Sequence, residues 1–509
     1  MTAAYETSVI EPAFADWSAT KQSLADDRLA ALRTAARRRL VDMSERYVQK
    51  LQQISVASGL TPSSEQLLRG DSDRLPIVMT GHQPVVFHSG LTFKYELTEQ
   101  FASQQNAIGV AVVIDTDEGD AGAISFPNAV EGEKSGSLLT AHATFGESAT
   151  LYSGCKRKSA SDIQAETSRV TDGLRSTGVS DVASRFQTFA NQFAALSTDS
   201  IMEANLIVRW HAGIGGRMLE LPLSAICKFP EVIQFFAEIL ARPFEFAQCY
   251  NDTLSSFRAD QKIKNEANPF PSLQVSSDRC ELPFWIVDTS ANARSVVSIH
   301  KRGLERTIET SNVPVTELLP GNEGAVLFSM LISGQQLIPR GALITAMLRL
   351  LFSDLFVHGT GGGRYDRYTD TLIRQWWKVE PTPFSVASAS RYLFPEKRRE
   401  LLHGQRISEQ LRDLQFNPQR HFGTGVFRSS FEDSLRQKVT EKDRHVERLR
   451  KARETGESAR DIGREIQQIG DDIKSIVGAE FEPQLAILRE TNDNTMATIN
   501  NRLWPWMFF

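Results

Sequence analysis

The passage from Leu75 to about Asn128 constrains the fold of this chain more than any other. Pro76-Ile77-Val78-Met79-Thr80 is apolar and short enough for a buried strand. Gly81 to Gly90 is a Gly/Pro/His loop, Leu91–Gln105 has helical patterning, and Ile108–Ile114 (IGVAVVI) is continuously apolar. A strand with no polar alternation is one covered on both faces, as in a parallel sheet. Strand, helix and strand within about 40 residues make a βαβ unit, which crosses over right-handedly. The pattern returns much later: Ala342–Phe352 reads as an apolar helix, Leu355–His358 as a short buried strand, then a glycine loop and a helix over Tyr365–Trp377. One Rossmann-like parallel-sheet core, interrupted by a long insertion, explains both passages.

Around this core the 509 residues allow several structural units. Residues 1–74 form an N-terminal helical segment, with one long helix over 23–55 and a polar linker over Ser58–Arg74. The first part of the core covers 75–130, an insertion 131–300, and the second part of the core 301–395. Within the insertion, helices are expected at 183–198 and 230–260, and a strand at Glu281–Val287. A charge-dense coiled-coil appendage occupies 396–480. There Ile462, Ile466, Ile469, Ile473 and Ile476 step by four and three residues, the spacing of a helical seam, and Leu435, Val439, Val446 and Leu449 continue it upstream. Thr455-Gly456-Glu457 reads as a turn, and Ser458 with Asp461 as a capping box. Residues 481–509 return to the core, their two tryptophans and two phenylalanines past Arg502 too apolar to stay in water.

Composition excludes some functions. Apolar residues make up 41% and charged residues 23%, with a net charge of −5; nothing here attracts nucleic acid or an anionic membrane. Four scattered cysteines, Cys155, Cys227, Cys249 and Cys280, have neither zinc-module spacing nor a CxxC pair. The first twenty residues lack a basic stretch followed by an apolar run, and no stretch of 18 apolar residues occurs. The expected location is cytoplasmic. G-x-S-x-G, Walker A and HExxH motifs are absent, which removes support for the matching hydrolases, P-loop ATPases and zincins.

Three constellations carry candidate chemistry. At the carboxyl end of the first strand stand Thr80-Gly81-His82-Gln83, then His88-Ser89-Gly90 and Lys94. Imidazoles, an amide and an ammonium beside a helix start suit a phosphate or carboxylate. The second strand ends in Asp115-Thr116-Asp117-Glu118-Gly119-Asp120, acids able to orient an amine or a ribose, hold Mg²⁺, or act as a base. The third is His358, then Gly361-Gly362-Gly363, Tyr365 and Asp366, where a strand, a glycine run and a helix start make a backbone nest for an anion. Asp366 and Asp370, four apart, share a helix face. No metal site is expected among these residues.

In order along the chain, these motifs resemble the cysteine-adding enzymes of bacillithiol biosynthesis. That family has T-G-Q-Q, G-P-L and a helical lysine where this chain has Thr80-Gly81-His82-Gln83, Ser89-Gly90-Leu91 and Lys94. Its acidic E-D-H-D corresponds to Asp117-Glu118-Gly119-Asp120, and its G-G-P-x-E and following Pro-containing strand to Gly361–Tyr365 and Pro381-Thr382-Pro383-Phe384. A charged coiled coil and an aromatic return follow in both. The resemblance implies a Rossmann-like core, a coiled coil that makes a homodimer, and ATP-dependent joining of cysteine to an amino-sugar acceptor, with Mg²⁺ as a candidate companion. The catalytic set it implies is His82, Gln83, Lys94, Asp117 and Asp120. Thr80, Gly81, His88, Gly90, Asp115, His358, Gly361–Gly363, Tyr365 and Asp366 would bind ligand. His82 and Gly119 stand where the family has Gln and His, and Gly363 and Tyr365 where it has Pro and Glu. Two other readings therefore stay open: a nucleotidyl or glycosyl transferase on the same core, and a coiled-coil protein that binds a metabolite without chemistry.

Overall fold

The computed structural model describes the chain apart from residues 1–4, 22–23, 62–66, 131–136, 148–150, 266–269, 289 and 312. The middle of the expected linker, the first residue of the expected 23–55 helix and parts of the expected insertion lie outside the described residues. The fold is mixed α/β. A six-stranded sheet holds five parallel strands: Phe384–Ser390, Leu355–His358, Ile77–His82, Ile108–Val113 and Leu219–Pro222, side by side in that order. Thr7–Glu11 adds an antiparallel edge beside Phe384–Ser390. Numbered by chain position, the parallel strands run 5-4-1-2-3, so the order reverses between the first and fourth.

The apolar runs account for these strands. All six residues of Ile108–Val113 are buried, as are all four of Leu355–His358. Helix Ser89–Gln104 follows the first strand, capped by His88, whose ring accepts from the Gly90 N–H. The long N-terminal helix runs Asp27–Ala57 with Asp26 as its N-cap, the carboxylate accepting from the Leu29 N–H. The expected 230–260 helix is two, Pro230–Ala241 and Pro243–Asp260, since a proline inside a helix breaks it and one at its first turn starts it.

The expected boundary at residue 300 falls inside a strand, Ala293–Arg302. That strand belongs to a five-stranded antiparallel sheet spanning Arg279–Asp288 to Gln335–Pro339. The helix–strand pattern of the main sheet resumes only at Ala342–Leu351. The glycine loop expected after His358 is helix: Thr360–Trp376 begins directly after Gly359. None of Gly359, Gly361, Gly362 or Gly363 has a positive φ, so they form a helical turn and no αR–αL nest.

The chain divides into two compact units. The first holds both large sheets and the tail Arg502–Phe509; the second holds Ala129–Thr140 and Tyr392–Asn501. In the second, helices Pro395–Phe416, Ser429–Thr455 and Arg460–Glu490 share one apolar core. Gly456 ends the middle helix at φ 77°, its N–H bonded to the Ala452 carbonyl, the left-handed cap that favours glycine. The expected capping box does not form: Ala459 is the N-cap of the next helix and no side chain caps it. The buried stripe of that helix is Ile469, Ile473, Val477, Phe481 and Leu485, a row of fours closed against the neighbouring helices. Ile462, Ile466 and Ile476 are only partly covered. In the first unit, Trp504, Met507 and Phe508 of the tail are buried, and Trp506 N–H bonds the Phe87 carbonyl at 2.7 Å. Among the described residues no helix is long and apolar enough to cross a membrane.

Candidate functional site

In an open parallel sheet, ligands bind beyond the carboxyl ends of the strands where the strand order reverses. Here that place lies between Ile77–His82 and Leu355–His358. The register pairs Leu355 with Val78 and Phe356 with Met79; carried on, it sets His358 level with Gly81. On the other side of the first strand Ile108–Val113 approaches closely, because a Cβ on Gly81 would lie 2.9 Å from the Val112 carbonyl oxygen. Thr80 is spent on the sheet itself, its buried hydroxyl donating to the Val357 carbonyl at 2.9 Å.

The histidine loop and the acidic loop meet. Gln83 Nε2 donates to Asp117 Oδ2 at 2.9 Å, and Arg294 Nη1 donates to Asp117 Oδ1 at 2.7 Å. Arg294 also reaches the Thr116 carbonyl (3.1 Å) and Glu118 (3.4 Å), and its guanidinium lies 4.5 Å from the Trp285 ring centroid. Behind them, buried Asn205 ties both loops with one amide, donating to the Pro84 carbonyl (2.8 Å) and the Ala121 carbonyl (2.7 Å). One arginine faces two carboxylates whose side chains are 35% and 54% exposed, so the open side of the cluster favours a cation such as an ammonium.

The expected cations are not offered to a ligand. Lys94 is buried, donates to the Gly81 carbonyl at 2.8 Å, and burial pushes its pKa down to about 7. Burial, followed by the charge of Lys94, pushes His82 down to about 3. Burial, followed by Arg502 and Lys94, pushes His88 down to about 4. Both rings are therefore neutral at pH 7. His88 Nδ1 accepts from Gly90 N–H at 3.1 Å, so its proton sits on Nε2. His82 Nδ1 faces the Gln83 carbonyl at 3.3 Å, which places the proton there and leaves Nε2 with a lone pair.

Other expected ligand contacts serve the fold. Asp115 is buried and accepts from Ser224 N–H (3.0 Å) and Ser224 Oγ (2.5 Å); burial raises its pKa against those bonds. Asp120 caps its own turn, accepting from Gly122 N–H at 2.8 Å. Gly90 is needed for packing, since a Cβ would meet Ser388 Oγ at 2.8 Å. His358 Nε2 lies 3.0 Å from Asp366 Oδ2, and Arg349 joins Asp366 (2.7 Å) and Asp370 (2.6 Å). Burial alone would raise the Asp366 pKa, but His358 and Arg349 hold it well below the ordinary carboxylate range. Asp366 and Asp370 do share a face, and that face is turned inward. Tyr365 packs edge-on against Phe270, 6.1 Å between centroids.

The glycines divide by role. A Cβ on Gly363 would meet Val386 Cγ2 at 2.2 Å, and one on Gly362 would meet His358 Nδ1 at 2.7 Å. Gly359 and Gly361 would meet nothing within 4 Å. The helix start carries no side-chain cap, and its first intrahelical bond is Gly363 N–H to the Gly359 carbonyl. The amides of 360–362 are thus without helical partners, beside open space at the reversal of the strand order.

No family model and no curated protein matches the chain. Geometry alone speaks for this site. Arg294, Trp285, Ser224 and Arg349 escaped the sequence reading, because only folding brings them to the loops. Asn205 left a trace: with Glu203 and Arg209 it interrupts the apolar run Ile201–Trp210, and a lone amide in such a run must find partners.

Proposed function

We propose that the chain is a ligase-like enzyme on a Rossmann-like core, joining an amino acid to an amino-sugar acceptor with ATP. Cysteine is the amino acid on the resemblance to the bacillithiol enzymes. The observation that carries the reading is the Gln83–Asp117–Arg294 cluster, which sets an accessible carboxylate beside the reversal of the strand order. Both oxygens of Asp117 are fixed from behind, so it receives the acceptor's ammonium in one orientation and takes its proton as the amide forms. His82 Nε2 accepts a hydrogen bond from a substrate hydroxyl or amine. The uncapped amides of 360–362, with Gly359 and Gly361 leaving the backbone approachable, fit a polyphosphate. When bound, ATP supplies activation of the acid for amide formation. No group of three or more His, Cys, Asp or Glu able to hold a metal occurs among the described residues, so Mg²⁺ would enter with the nucleotide, with Asp117 and Glu118 as the nearest carboxylates of the cluster.

The helical unit is the coiled-coil appendage of this reading, pairing two chains in the cytoplasm. Support comes from Val446, 46% exposed, and the partly covered Ile462 and Ile466 near the helix–turn–helix tip.

The test is mass spectrometry of the purified chain with ATP, Mg²⁺, cysteine and glucosaminyl malate. The cysteinyl conjugate is expected, falling roughly a hundredfold or more in Asp117→Asn, which keeps the Gln83 contact. Absence of both conjugate and nucleotide turnover would overturn the reading.

A further inference from the structure

A cavity of about 390 Å³ shares no lining residue with the acidic loop or with Gly359–Gly362. One wall is the face of helix Ser89–Gln104 that carries Ser89, Thr92 and Glu96; Arg391, just past strand Phe384–Ser390, and Arg185 supply another. Trp506 and Ile214 line it with apolar surface.

Its charges are only partly compensated. The Arg391 guanidinium lies 4.8 Å from the Phe509 ring centroid, and its side chain makes no hydrogen bond or ion pair among the described residues. Burial, and behind it the like charge of Arg185, pulls the Arg391 pKa down. Arg185 reaches Asp181 (3.2 Å) and the Phe508 carbonyl (3.2 Å) from a side chain 48% exposed. Glu96 accepts from Tyr5 Oη at 2.9 Å and has no cation within ion-pair distance among the described residues; burial pushes its pKa up. A guanidinium and a carboxylate therefore line one cavity without pairing. Each bears a desolvation cost that its neighbours offset only in part, and a complementary charge would offset more of it.

We propose that this cavity binds a free α-amino acid or a like-sized zwitterion. The carboxylate lies against Arg391 and Arg185, the ammonium against Glu96, and the side chain against Trp506 and Ile214. The volume sits at the small end of ligand pockets, roughly 300–1,000 Å³, which suits such a molecule. Binding stands on the cavity alone; only its use as a substrate site would rest on the ligase reading.

The test is isothermal titration of the full chain, without ATP or acceptor, so that its failure leaves the ligase reading intact. The probes are L-phenylalanine, L-leucine and L-cysteine, with 3-phenylpropionate and phenethylamine as single-charge analogues and ATP as the competing class. At least one amino acid is expected to bind about tenfold or more tighter than either analogue. Arg391→Met and Glu96→Gln should each weaken it by about tenfold or more, and Glu96→Gln should narrow the gap between L-phenylalanine and 3-phenylpropionate. Should Arg391→Met fail to fold, Arg185→Met, at a half-exposed position, gives the same reading. No heat from any amino acid, equal affinity for 3-phenylpropionate and L-phenylalanine, or binding of ATP alone would each overturn the proposal.

Discussion

Lys94 shows how burial changes what a residue can do. Its ammonium meets one carbonyl, that of Gly81, and its pKa falls from 10.5 to about 7. The folded pKa lies below the unfolded one, so between about pH 7 and 10.5 the unfolded chain binds more protons. Stability therefore rises with pH across that window, and the penalty of the buried charge is fully present below it. Melting temperatures from pH 7 to 10 should rise in the wild type, and Lys94→Met should lack that rise. An unchanged slope in the variant would show that Lys94 does not titrate there. His82 and His88 act in the same sense at lower pH: stability falls as pH drops from about 6.5 toward 4 and 3. Asn205 is the other residue to probe. Asn205→Ala strips hydrogen bonds from two carbonyls at once, about 1–3 kcal/mol for each one left buried. Limited proteolysis should then cut in 82–90 or 115–121 before the rest of the chain opens.

At the scale of the element, helix Thr360–Trp376 passes from open to tightly packed positions within three residues. Gly363→Ala places a methyl against Val386 Cγ2 and should cost about 1–3 kcal/mol. Gly361→Ala meets open space in a helical turn and should stabilise by about 0.4–1 kcal/mol. In the proposed reading the same methyl obstructs the ligand, so Gly361→Ala should melt higher and turn over more slowly. A variant that is more stable and fully active would remove Gly361 from the site. The helical unit offers a second test. Val446→Glu leaves the buried stripe untouched and, if two chains pair through the tip, should halve the mass seen by sedimentation equilibrium. The helix itself was legible from its isoleucines. Its buried face was not, because two flanking helices, rather than one partner, select which positions are covered.

Across the first unit, a buried charge cluster joins segments more than 300 residues apart. Asp354, fully buried, accepts from Arg33 and Arg37 of helix Asp27–Ala57, each at 2.7 Å. The two arginines also donate to the carbonyls of Arg349, Leu350, Phe352 and Ser353. Burial lowers the Arg33 pKa to about 10 despite Asp354. Asp354→Ala leaves two cations without their carboxylate and should cost about 3–5 kcal/mol, read as a fall in the denaturant midpoint. Asp354 and Arg349 are the charges that interrupt the apolar stretch Ala342–Val357. Their partners could not be named, because pairing at such separation depends on which helix the sheet accepts.

The sequence by itself determined three of the five parallel strands, Ile77–His82, Ile108–Val113 and Leu355–His358, the helix after the first of them, the helical region near the end and the burial of the aromatic tail. Each follows from local apolar periodicity, which a chain carries wherever it folds. It also determined that the histidine and acidic loops leave the same βαβ unit at the same end. Only the tertiary structure decided the strand order and the place of its reversal, the antiparallel sheet across residue 300, and the helical state of the glycines. It alone decided which polar residues are left accessible and which meet buried partners. His88, Asp115, Asp120 and Asp366 look the same in sequence whether they meet solvent, substrate or a buried partner; Gly90, Ser224, Gly122 and Arg349 settle the matter, and folding brings them there.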